Sequence, residues 1–224
     1  MRYINRSAIK SEAKYTLRVN RRSFLVMTAI YMGISLIISG IDAAFTHFEI
    51  PMAAFITILV SLITCVLSAG YILFCMGVRQ GEDMPFSTLL DGFGFAGKVI
   101  WLNILMYIYI FLWSMLFVIP GIVAAYRYRF ALYNLMENPE LTASQAIALS
   151  KMQTFGMKGQ LLMLDLSFFG WAILTALTAG ILSIWLTPYM QLADLGYYEV
   201  GKEIVSPFPN GGPTSYDDQG FNQF

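Results

Sequence analysis

Apolar positions along this chain fall in long runs, not in the alternation of a half-buried strand or the narrow stripe of a soluble amphipathic helix. A hydrocarbon core needs about 20 apolar residues per helix. The runs predict spans over 24–44, 51–78, 99–119, 122–136, 161–177 and 181–198. The fourth is short and carries Arg127 and Arg129. Pro120-Gly121 and Thr178-Ala179-Gly180 read as tight turns inside the last two pairs of spans. The expected fold is all-α, a polytopic membrane helical bundle of six transmembrane helices arranged as three hairpins, with cytoplasmic interfacial helices.

The polar stretches between the runs carry their own periodicity. Residues 5–22 contain neither glycine nor proline, and Arg6, Lys10, Lys14 and Arg18 recur every fourth position, with Arg21 on the same side. Ile9, Ala13 and Leu17 form an adjoining apolar seam. Two readings follow for this face and Arg22: a helix that binds the anionic inner leaflet or a partner protein, or a basic flank that only sets topology. Asn138-Pro139 precedes Thr142-Ala143-Ser144-Gln145, a capping-box pattern that predicts a helix to about Gln153. Residues 86–93 read as a further short interfacial helix. An interfacial helix thus precedes an outgoing span three times, at Arg22, Lys98 and Lys158, which suggests a threefold repeat. Segments 1–22, 23–202 and 203–224 divide into a basic amphipathic helix, a six-span membrane domain and a flexible cytoplasmic tail. Tyr216, Phe221 and Phe224 would be the docking side chains of that tail, if it has any.

Charge placement orients the bundle. Outside the spans, twelve Lys and Arg residues fall on one side of the expected membrane, and none on the other, which has only Asp42, His47 and Glu49. Both termini are therefore expected in the cytoplasm of a cell with this protein in its plasma membrane. Composition agrees: 57% hydrophobic and 12% charged argues against a soluble domain or a nucleic-acid binder. The basic N-terminal stretch is too long for a cleaved signal peptide.

The informative chemistry is inside the expected bilayer. Arg127, Arg129, Asp165 and Asp194 fall within spans, and Glu199 at the end of the sixth. A mid-bilayer charge costs at least about 2.5–3.5 kcal/mol, so each must pair, snorkel or line water. At 1.5 Å per residue all lie in the same membrane half. Arg129 is expected to pair with Asp194 or Asp165. Arg127, about 200° around a helix from a residue two positions on, would face a separate seam with Asn134. The group is either an inward-facing anion cavity or an internal salt-bridge cluster. Pro188 predicts a kink in the last span. Gly33 and Ser39-Gly40 are candidates for close helix contact. Trp101, Tyr107, Tyr109, Trp113, Trp171 and Trp185 read as packing or interface anchors.

No phosphate-binding glycine loop, nucleophile constellation or metal-ligand spacing occurs; His47 is the only histidine, and Cys65 and Cys75 share one apolar run. No cofactor, nucleic-acid partner or enzymatic activity is expected. Partners would be lipids of the anionic inner leaflet or a protein in the membrane or cytoplasm. Two functions fit: a non-catalytic scaffold or accessory subunit acting through its cytoplasmic helices, or a small transporter or export/immunity factor for an amphipathic or anionic molecule.

Several short motifs occur in a specific order: Asn5-Arg6-Ser7-Ala8-Ile9-Lys10, Leu89-Leu90-Asp91-Gly92-Phe93, Ile119-Pro120-Gly121-Ile122, Tyr126 with Tyr128, Glu137-Asn138-Pro139, Gly170-Trp171, Pro188-Tyr189 and Tyr197-Tyr198-Glu199. Together they resemble the bacterial membrane proteins of domain of unknown function 975, over residues 4 to about 200. The resemblance implies a polytopic cell-membrane protein and assigns no catalytic residue. A distant similarity links that family to the membrane domain of some glycerophosphodiester phosphodiesterases, and this chain shows no counterpart of their catalytic domain. It departs from the family pattern at Gly156-Met157-Lys158-Gly159, where a Gly-His-Lys-type segment is expected.

Overall fold

In the computed structural model, residues 5–47, 53–178 and 180–205 are described. Expectations about Pro51, Glu49, Ala179 and the tail with Tyr216, Phe221 and Phe224 lie outside them. No strand occurs among the described residues.

The N-terminal helix α1 spans Arg6–Val19 and is capped by Asn5, whose side-chain oxygen accepts from the Ala8 N–H at 3.2 Å. A turn at Asn20 separates it from α2, Arg21–His47, which pairs with α3, Ala53–Gln80. The chain then turns through Gly81, which has φ +86°, into α4, Thr88–Asp91, and a 3-10 turn over Gly92–Phe95. This short unit lies against α3. A Cβ on Gly70 would sit 2.1 Å from the Leu89 carbonyl oxygen, and one on Gly92 would sit 2.6 Å from the Val66 carbonyl oxygen. Only glycine at both positions lets the two backbones approach so closely. Helices α5, Ala96–Leu116, and α6, Val118–Tyr128, form a tight hairpin, followed by α7, Ala131–Glu137, and α8, Ala143–Gln153. The last hairpin is α9, Lys158–Leu177, and α10, Ser183–Val205. Each apolar helix that opens a hairpin, α2, α5 and α9, follows a shorter helix, α1, α4 and α8.

Among the described residues, four units are long and apolar enough to cross a membrane: α2, α3, α4 through α5 (Thr88–Leu116), and α9. The other two expected crossings differ for physical reasons. The fourth is divided into 11- and 7-residue helices. The sixth has 23 residues but carries Gln191, Asp194, Glu199 and Glu203, which lower its hydropathy.

Burial divides the molecule into two parts. One half is close-packed: Val66 to Val78 of α3, all of α7 but Leu132 and Glu137, the inner face of α8 and α10 beyond Leu186. The other half presents bare apolar side chains, among them Leu36, Phe55, Phe111, Phe117, Leu177 and Ile181. Exposed apolar surface of this extent is compatible with a membrane protein. The capping box at α8 forms as its sequence predicts: Thr142 Oγ1 accepts from the Gln145 N–H at 3.3 Å and Gln145 Oε1 accepts from the Thr142 N–H at 2.9 Å. Far from lying loose at an interface, α8 buries Ala146, Ile147, Leu149, Ser150 and Gln153.

Two expectations are corrected. The turn expected at Pro120-Gly121 falls instead at Phe117, whose backbone is extended, and Pro120 sits in the first turn of α6. Proline costs no hydrogen bond there, because the first helical N–H groups have no partner anyway. Gly121 serves packing: its Cβ would lie 2.1 Å from Ser114 Oγ on α5. Among the described residues, Gly33 and Gly40 make no close helix contact, with nothing within 4 Å of an added Cβ. Helix α10 contains Pro188 in its interior.

Candidate functional site

Arg129, Asp165 and Asp194 come from three different segments and meet. Arg129 ends α6, Asp165 is on α9 and Asp194 on α10. The sequence expects one carboxylate partner for Arg129; the structure supplies two. Its Nη1 donates to Asp165 Oδ2 at 2.7 Å and its Nη2 to Asp165 Oδ1 at 2.9 Å. Nη2 also reaches both oxygens of Asp194 at 2.9 Å. The Tyr126 hydroxyl donates to Asp165 Oδ2 at 2.7 Å. Two carboxylates engage one guanidinium and the group carries a net charge of −1, so it clamps three helices and disfavours an anion.

Arg127 and Glu199 are not part of this group. The Arg127 carbonyl accepts from the Ser150 hydroxyl at 2.8 Å, and its guanidinium acts on Lys151 of α8. Burial, then the Arg127 charge, lowers Lys151 below the ordinary lysine value. Asn134, expected opposite Arg127, exchanges two 2.9 Å hydrogen bonds with Gln153 and accepts one from the Tyr198 hydroxyl at 3.1 Å. Side-chain amides are self-complementary, so two buried ones satisfy each other better than one serves a distant guanidinium. Glu199 lies instead with Arg79, which donates to both its oxygens at 2.7 Å and to Glu12 Oε1 at 3.0 Å. The Arg79 side chain is only 6% exposed. This ion group ties α1 and α10 to the end of α3, at the point where Ile9 packs on Gly196; a Cβ there would lie 2.6 Å from Ile9 Cγ2.

The second candidate region lies along the opposite face of α1. Ile9, Ala13 and Leu17 are buried, as their seam predicts, which turns the basic residues toward α9 and α10. Arg6 donates to the Met163 carbonyl at 3.3 Å and Lys10 to the Ser167 hydroxyl. Lys10 Nζ lies 4.5 Å from the Phe168 ring centre, Lys14 Nζ 5.8 Å from that of Tyr189, and the Arg21 guanidinium 5.0 Å from that of Trp185. Two cavities of about 660 and 450 Å³ adjoin along this face, sharing Lys14, Trp171 and Tyr189. Arg18 and Arg21 line the second; Arg22 is exposed and lines neither. Burial, then the Arg6 and Lys14 charges, lowers Lys10 below the ordinary lysine value. The cations of this face are legible from their spacing. The far wall, with Gln160, Trp171, Tyr189 and Tyr197, carries no local signal, because it is assembled from two helices. Among the described residues no group of His, Cys, Asp and Glu side chains could hold a metal ion.

Fold and charge groups together define an all-helical protein with apolar helices of membrane-crossing length. Residues 115–203, which include the whole Arg129 group, match the model of a family described as a protein of unknown function, DUF975, the family that the chain's motifs resemble. No curated protein and no solved structure matches the chain, and nothing that matches bears out the distant likeness to glycerophosphodiester phosphodiesterases.

Proposed function

We propose that this is an integral protein of the bacterial cell membrane that crosses it six times with both termini in the cytoplasm, catalyses no reaction, and acts as a scaffold or accessory subunit through its cytoplasmic helices. One observation carries the reading. Helix α1 is fixed to the core by its buried seam and the Glu12–Arg79–Glu199 group, while Arg6, Lys10, Lys14, Arg18 and Arg21 have no carboxylate partner among the described residues. The fixed helix holds out its charges to something beyond this core, an anionic lipid or an acidic partner. The alternative, transport or export of an anionic or amphipathic molecule, requires a polar path to Arg127 or Arg129, and the two carboxylates on Arg129 count against it.

The test is native co-purification with mass spectrometry of bound lipids and proteins, comparing the wild type with Lys10→Gln/Lys14→Gln/Arg18→Gln. The reading expects an anionic lipid or a partner protein to be lost from the variant. An unchanged inventory removes this role from α1.

A further inference from the structure

We infer that the two adjoining cavities along α1 form one binding groove for a single anionic phospholipid, headgroup phosphate against Arg6, Lys10 and Lys14 and acyl chain against Trp171 and Trp185. This deepens the scaffold reading by naming the ligand that α1 holds.

The polarity of the groove changes along its length. Its first part is lined by Asn5, Arg6, Ser7, Lys10 and Ser11, with Gln160 and Tyr197 behind them. Three cations and several hydroxyl and amide groups converge there, the donor set that a phosphodiester and a polyol headgroup require. Its second part is lined by Leu182, Trp185, Leu186 and Trp171, with Arg18 and Arg21 at the edge. Trp171 is 47% exposed and Trp185 39%, so both present apolar faces to an occupant.

A second observation points to a ligand in the polar part. The Tyr197 side chain is 0% exposed, yet its hydroxyl has no hydrogen-bond partner, and neither does the buried Gln160 Oε1. Buried polar groups are almost always satisfied, because an orphan forfeits its hydration without a replacement bond. Both groups line the cavity that the three cations face. A headgroup phosphate oxygen would accept from Tyr197, and a headgroup hydroxyl would donate to Gln160. The neutral Ser167 and Met163 carbonyl contacts of Lys10 and Arg6 leave their charge unbalanced, and the phosphate would neutralise it.

The apolar wall decides against an acidic peptide. Such a segment would match the cations but leave Trp171, Trp185, Leu182 and Leu186 uncovered, whereas an acyl chain covers them. The groove also lies beside α9, whose outer face, with Leu162, Leu166 and Phe169, is bare and apolar. A lipid could enter it from the bilayer without leaving hydrocarbon.

The experiment uses the full chain in phosphatidylcholine nanodiscs, with Trp101→Phe and Trp113→Phe so that Trp171 and Trp185 report alone. Brominated-chain phosphatidylglycerol or brominated-chain phosphatidylcholine is added at matched mole fractions. The proposal expects quenching half-saturation at a mole fraction at least about fivefold lower for the anionic lipid, roughly the effect of one basic residue near a lipid phosphate. Lys10→Gln/Lys14→Gln should abolish that preference and Tyr197→Phe should reduce it, while Arg22→Gln, outside the groove, should retain it. Should the double variant fail to give the wild-type elution profile and melting curve, the ring-preserving Tyr197→Phe carries the test. Equal quenching by both lipids in the wild type overturns the proposal, as does a preference that survives in both folded groove variants. Displacement of the anionic lipid by millimolar inorganic phosphate also overturns it, because the site would then take free phosphate. Lipid preference with no protein partner recovered would end the protein-scaffold reading and leave the groove standing. A partner recovered with no lipid preference would do the reverse.

Discussion

Ser150 and Phe130, twenty residues apart, are joined by a hydrogen bond that closes a gap in a helix. The Phe130 N–H donates to Ser150 Oγ at 3.1 Å, and the same hydroxyl donates to the Arg127 carbonyl at 2.8 Å. Helices α6 and α7 part at residues 129 and 130, which frees backbone groups that a continuous helix would pair. One fully buried side chain on α8 satisfies a donor and an acceptor together. Thr154 Oγ1 adds a longer contact of 3.4 Å to the same carbonyl.

Ser150→Ala should therefore destabilise the protein by about 1–3 kcal/mol, the cost of leaving buried polar groups unsatisfied. Thermal unfolding of the purified protein in detergent reads it directly. A melting temperature equal to wild type would mean that Ser150 does not hold the break together.

Removing Arg129 should be far worse than removing the whole ion group. Arg129→Met leaves Asp165 and Asp194 facing each other without a cation, a loss of about 3–5 kcal/mol for a broken buried pair. Replacing all three by apolar residues, Arg129→Met with Asp165→Leu and Asp194→Leu, removes the charges as well as the clamp, and such exchanges are often neutral. The triple variant should regain yield and melting temperature over the single. If the triple variant folds as poorly as the single, the group does more than fix helix packing.

The glycines can be ranked. Gly70→Val should prevent α4 from docking on α3, because the added carbon would sit 2.1 Å from a main-chain oxygen that cannot swing away. Gly33→Ala should change little, since nothing lies within 4 Å. Yield and melting temperature of the two variants separate them, and equal effects would contradict the packing described for Leu89 and Gly92.

Lys10 offers a titration. Burial and the neighbouring Arg6 and Lys14 hold its pKa below the ordinary lysine value. A bound anion opposes both effects, so the pKa of Lys10 should rise when phosphatidylglycerol is added. NMR of the reductively methylated protein, assigned by Lys10→Arg, measures it. No rise at saturating lipid would place the phosphate away from Lys10.

What was legible in the sequence had local or periodic causes. The Thr142–Gln145 cap is set within four residues, the α1 seam by spacing, and the meeting of Arg129 with the aspartates by equal depth along apolar helices. What was not legible depended on partners in space. Pro120-Gly121 looks like a turn because the residues alone do not show that proline is harmless in a first turn or that Ser114 needs a glycine opposite it. Ser150 resembles any helical serine until the break it closes is in place. Small residues at Gly33 and Gly40 promise close contact, but among the described residues nothing lies within 4 Å of a Cβ added at either. Glu199 sits at the right depth for the Arg129 group, but faces Arg79 instead.

Single-cysteine accessibility at Phe117 is the most direct test of the account as a whole, because six crossings require the α5–α6 hairpin tip to emerge outside the cell. On a Cys65→Ala/Cys75→Ala background, Phe117→Cys should react with a membrane-impermeant maleimide in intact cells, as should Phe45→Cys. Phe155→Cys, between α8 and α9, should react only after lysis. Protection of Phe117→Cys until the cells are broken would contradict the account.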